Sequence, residues 1–228
     1  PQSIGLELDP ADGAKVLELK SRHAGTVLAG AGLHPSRVPE LSDEEAAAEL
    51  KLVAQRAATA DFIGEIGLDY RDAPDAPQQR RQREILERLL DIAEHARLPV
   101  NMHTRRADRE LVEIARTFTL RTGLGANLHW FTHSKKLAWR CAESGIYISA
   151  GPSIETDPLQ LDVARGIAAD FLLVETDSPV EYGGAVASPS WAPRVASLLA
   201  DERGDEADAF AFRLAQNLSS YLGLDVAG

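Results

Sequence analysis

Cysteine is almost missing from this chain: among 228 residues Cys141 stands alone. One thiol can neither close an internal disulfide nor build a cysteine zinc cluster, so any metal must be held by histidines and carboxylates. Cys141 itself reads as buried helix packing. Long apolar runs are also missing. None approaches the roughly 20 residues needed to cross a bilayer. The first residues show neither the basic start nor the small-residue cleavage site of a leader. A soluble, cytoplasmic protein with no membrane partner is therefore expected. Positive charge is in deficit too, with 24 Lys and Arg against 35 Asp and Glu and a formal net charge of -11. That balance counts against a protein that coats nucleic acid through a basic face.

The deficit is uneven. From His103 to Arg140 there are eight basic residues (Arg105, Arg106, Arg109, Arg116, Arg121, Lys135, Lys136 and Arg140) against three acids (Asp108, Glu110 and Glu113). Such a segment can hold a phosphate backbone while the remaining acids give solubility. For Arg116 and Arg121 the plainer reading, a solvated helix face, is preferred. With 44% hydrophobic and 26% charged residues, the chain is long enough for one large core, and a single domain over 1–228 is expected.

The most informative stretch is Phe62-Ile63-Gly64-Glu65-Ile66-Gly67-Leu68-Asp69-Tyr70. An apolar run that ends on an acid between two glycines reads as a buried strand bringing a carboxylate to the rim of a sheet. Similar runs end at His103, at His129 and at Glu175-Thr176-Asp177. Two more strands are read at 26–31, leading to His34, and at 146–149. Helices are expected over 13–23, from the capping box Ser42/Glu45 to about 58, and over 78–97, 108–118, 135–144, 159–166, 193–201 and 205–222. Residues 1–10 show no period. Strand and helix alternate with short links, which argues for parallel βαβ units.

Five pieces carry a family resemblance: Gly32-Leu33-His34-Pro35, Gly64-Glu65-Ile66-Gly67-Leu68-Asp69-Tyr70, His103-Thr104-Arg105, His129-Trp130-Phe131 and Glu175-Thr176-Asp177-Ser178-Pro179. In this order and spacing the chain resembles the TatD-like metal-dependent deoxyribonucleases. The resemblance implies an α/β fold, a TIM-type (β/α)8 barrel, in which strand ends meet at one rim. Six strands are recognisable here. The family opens with a strand carrying a His-x-His pair, and no His-x-His occurs in this sequence. The first one or two strands are therefore expected to be missing, with divergence of the first element as the alternative.

The resemblance further implies a divalent cofactor, Mg²⁺, Mn²⁺ or Zn²⁺, one or two per site, held by Glu65, His103, His129 and Asp177. Asp177 and Glu65 would be catalytic, with Asp177 taking the proton of a metal-activated water. The implied substrate is DNA, expected to be single-stranded. His34, Arg105, Asp69 and Tyr70 are the substrate-contact candidates, Arg105 balanced against a salt bridge and Asp69 and Tyr70 against fixing the Glu65 loop. Glu175, on the same side of its strand as Asp177, is a candidate to hold a metal ligand in position from behind. His133 is read as facing solvent or substrate. Two other functions stay open: a barrel hydrolase acting on an acyl bond, like an aminoacyl-tRNA deacylase, and an inactive barrel serving as a binding or assembly subunit with a protein partner.

Overall fold

In the computed structural model, residues 3–5 and 10–224 are described, with side chains from 13 to 224. The chain packs as two compact units, Pro1–Ala126 and Asn127–Gly228.

In the first unit β1 (Ser3–Gly5), β2 (Val27–Ala31), β3 (Phe62–Asp69) and β4 (Val100–Arg105) run parallel, each beside the next. β1 is a strand that the residue pattern does not show. Its three residues are too short for a period, and its pairing with 27–29 is what defines it. The helices are α1 (Pro10–Arg22), α2 (Asp43–Arg56), α3 (Ala76–Ala96) and α4 (Asp108–Thr122). Ser42 and Glu45 close the expected capping box, each side chain taking the other residue's backbone N–H, which is worth about 1 kcal/mol. α3 turns Ile85, Leu86, Leu89, Leu90 and Ala93 inward onto β3.

Every residue of β3 is buried, as expected of a parallel strand covered on both faces. The strand continues four residues past Glu65, so Glu65 lies inside it and not at its end. His103 likewise lies within β4. The β3–β4 register shifts between Ile63 and Ile66, where three steps on β3 match two on β4. A bulge of this kind re-aims a side chain. Gly67 is required by close approach: a Cβ there would meet the His103 carbonyl oxygen at 2.0 Å, and its φ is +148°.

In the second unit β5 (Ala126–Leu128), which starts at the boundary, β6 (Tyr147–Ala150) and β7 (Leu172–Val174) are again parallel neighbours. β7 stops at Val174, so Glu175 and Asp177 lie in the segment beyond it, and Asp177 takes φ +46°. α5 (Lys135–Glu143) buries Cys141 completely. α6 (Pro158–Gly166), α7 (Ala192–Arg203) and α8 (Ala207–Leu222) follow. Val195, Leu199, Phe210, Leu214 and Tyr221 are their buried contribution. A two-stranded antiparallel hairpin, β8 (Glu181–Tyr182) and β9 (Ala185–Val186), follows β7 and is not among the strands read from the sequence. Among the described residues no helix is long and apolar enough to cross a membrane.

Candidate metal centre

In the first unit three potential ligands converge. His34, Glu65 and His103 each offer a donor atom within 4.8 Å of the others. His103 Nδ1 lies 2.9 Å from Glu65 Oε1, and its Nε2 lies 3.1 Å from Asp69 Oδ2. His34 Nε2 lies 3.3 Å from the same Glu65 oxygen, and the two imidazoles meet edge to face with centroids 4.6 Å apart. Glu65, Asp69 and His103 are all buried.

The hydrogen bonds decide what each ring can do. Ionised carboxylates accept, so each nitrogen of His103 that carries a proton can donate to the carboxylate facing it. A cation on the Glu65 side would take the place of one proton and leave the other N–H bonded to Asp69. That carboxylate–histidine–metal arrangement is common in metalloproteins. His34 differs. The Ser36 backbone N–H donates to His34 Nδ1 at 3.2 Å and the Ser36 hydroxyl lies 2.6 Å from it. Nδ1 is therefore an acceptor and the proton of the neutral ring sits on Nε2. In this arrangement His34 presents a donor to the site and not a lone pair.

Asp69 is 1% exposed, and burial pushes its carboxyl upward. The His103 hydrogen bond and charge, with the backbone N–H groups of Asp72 and Arg71, outweigh that and hold it below the ordinary aspartate range. Arg105 Nη1 stands 3.6 Å from Asp69 Oδ2, the guanidinium partly open to solvent. Tyr70 donates to Glu110 Oε2 at 2.8 Å and accepts from Arg83 at 2.7 Å. Burial and then Glu110 push its hydroxyl up to about 12 against the pull of Arg83. The polar atoms of Asp69 and Tyr70 thus already have protein partners, the arrangement expected of residues that fix the end of the Glu65 strand.

Gln82 on α3 ties the cluster together. Its Oε1 accepts from the Asp69 N–H at 2.9 Å. Its Nε2 donates to the Pro35 carbonyl at 2.9 Å and the Asp69 carbonyl at 3.1 Å. It was not among the candidates, although a sign was available: a glutamine in line with the inward stripe of an amphipathic helix must find buried partners.

The second unit gathers its own group. His129 follows β5, with Nδ1 3.5 Å from Glu175 Oε2. The same oxygen accepts from the Ser149 hydroxyl at 3.0 Å, and Glu175 Oε1 accepts from the Trp130 N–H at 2.6 Å. Asp177 is close enough to Tyr182 for its charge to act on the phenol. His133 is half-buried beside Ser134, whose N–H it accepts. Imidazole nitrogen and carboxylate oxygen together suit Zn²⁺ or Mn²⁺, so the donor set in the first unit fits a divalent cation.

Comparison with known proteins agrees on the family. The model of the TatD related DNase family matches residues 2–223. A metal-dependent hydrolase of Escherichia coli K12, YjjV, is 32% identical over 211 residues, which cover 90% of this chain and 79% of that protein. The 3'-5' ssDNA/RNA exonuclease TatD of Erwinia amylovora is 30% identical over 227 residues, 92% of this chain and 83% of its own length. The crystal structure of the YjjV protein superimposes with a TM-score of 0.82 at 29% identity, covering 98% of this chain and 86% of that one. The fold class is accordingly the TIM-barrel-like α/β fold of these hydrolases.

Proposed function

Because the chain belongs to the TatD related DNase family and is a metal-dependent hydrolase of it, we propose that it is a deoxyribonuclease that hydrolyses phosphodiester bonds of single-stranded DNA. The observation that carries this reading is the buried His103 ring held between Glu65 and Asp69, a ligand with its orienting partner in place. Relatives named as an ssDNA/RNA exonuclease and as a deoxyribonuclease support the substrate.

Glu65 and His103 would hold a divalent cation in the first unit, and His129 and Asp177 are the candidate ligands of the second unit. A bound divalent ion supplies an acidified water and neutralises phosphoryl charge. Asp69 keeps the His103 ring in one orientation. Asp177 accepts the proton of the attacking water. His34, with its proton fixed on Nε2 by Ser36, donates to a phosphoryl oxygen, and Arg105 pairs with the phosphate. Glu175 orients His129 and the Trp130 backbone.

The test is hydrolysis of a single-stranded oligonucleotide by the purified chain with Mn²⁺ or Zn²⁺, alongside its metal content. Cleavage that requires the cation and falls by at least about a hundredfold in Glu65→Gln is expected. A metal-loaded chain that leaves DNA intact while hydrolysing acyl esters would overturn the reading.

A further inference from the structure

The geometry points to a second element of substrate recognition: Trp130 and Tyr182 form a stacking platform for a nucleobase of the single strand. This rests on the nuclease reading above and names the part of the nucleotide that the second unit takes.

The two rings lie 5.7 Å apart, tilted by 48°. Both residues are half-buried, so neither is enclosed in the core. Each aromatic stands next to a candidate ligand. Trp130 follows His129 directly and its N–H donates to Glu175. Its φ of +43° is uncommon for a large side chain, and backbone held in that region concentrates where function requires it.

Tyr182 sits on a hairpin fastened to the Asp177 turn by three hydrogen bonds. The Val180 N–H donates to the Asp177 carbonyl at 2.9 Å, and the Ala187 N–H to the Val180 carbonyl at 2.8 Å. The Ser178 hydroxyl donates to the Ala187 carbonyl at 2.8 Å. Gly183 and Gly184, at φ +59° and +83°, make the tight turn that brings β9 back.

Charge selects what this pair can receive. The two rings carry no charge with which to hold a phosphate. A nucleobase is uncharged, flat and stacks on an aromatic face whatever its sequence. The platform therefore takes the base. In a duplex the base faces are already stacked, so this contact favours a single strand.

The test compares binding of a labelled oligothymidylate with that of an abasic oligonucleotide of equal length, by fluorescence anisotropy on the full chain with a chelator present. The wild type is expected to prefer the base-bearing strand. Tyr182→Leu or Trp130→Leu should lower that preference by about five- to a hundredfold, and Tyr182→Phe, which keeps the ring, should restore it. Equal affinity of the wild type for the two strands overturns the platform. So do Leu variants that weaken both strands by one common factor, since the pair would then only clasp the hairpin. Hydrolysis with Mn²⁺ is scored separately: no cleavage alongside an intact base preference supports the platform and counts against the nuclease reading.

Discussion

At the scale of single residues, the unusual feature is an imidazole shared by two buried carboxylates. Asp69 is buried beneath His103 and accepts from its ring at 3.1 Å, a contact that fixes the direction of the imidazole. Asp69→Asn keeps the size and an acceptor for the Arg71 and Asp72 N–H groups, but places an amide against His103 Nε2. The expected outcome is a fold that survives and an affinity for Zn²⁺ or Mn²⁺ lowered about 10- to 100-fold, measured by isothermal titration. Glu65 and His103 were legible as residues of interest, one from its flanking glycines and one from its place in an apolar run. Their 2.9 Å contact was not, because it depends on a register shift that only pairing with β4 creates. The tautomer of His34 was equally hidden: Ser36 is two residues away, but nothing in the order of residues says that its N–H turns back onto the ring.

At the scale of elements, α3 does more than cover β3. Through Gln82 it joins the strand end at Asp69 to the turn at Pro35, the turn that carries His34. Gln82→Leu has nearly the same volume and leaves one N–H and two carbonyls without this partner in a buried setting. A loss of roughly 2 to 5 kcal/mol is expected, read from urea denaturation, with α3 itself still helical. Most helices and strands were visible from periodicity, caps and glycines, with boundaries shifted by a few residues. Two short pieces were not. β1 and the β8–β9 hairpin have three and two residues per strand, too few for alternation to register, and both exist through pairing with a neighbour. The strand leading to Asp177 was read too long for the opposite reason. Glu175-Thr176-Asp177 continues an apolar run, but the backbone has already left the sheet at Val174.

At the scale of the whole molecule, all four tyrosines share one behaviour. Tyr70, Tyr147, Tyr182 and Tyr221 each have the hydroxyl raised, with burial the first cause in every case. An unfolded chain releases these protons near pH 10, whereas the native protein still holds them. Their contribution to stability is therefore fully present below about pH 10 and is lost as the pH climbs toward the raised native values, about 12 for Tyr70. An ultraviolet titration of the folded protein should show no tyrosine ionising at its ordinary pH. Absorbance should rise only as the chain unfolds, in step with loss of the circular dichroism signal; a separate tyrosine step near pH 10 would contradict it. The lone thiol of Cys141, wholly enclosed on α5, has a practical consequence of another kind. It is sheltered from reagents that alkylate exposed thiols, so a cysteine introduced at the open position Val186 on β9 can be tagged with a dye in an otherwise native background, placing a reporter across the hairpin from Glu181, the neighbour of Tyr182.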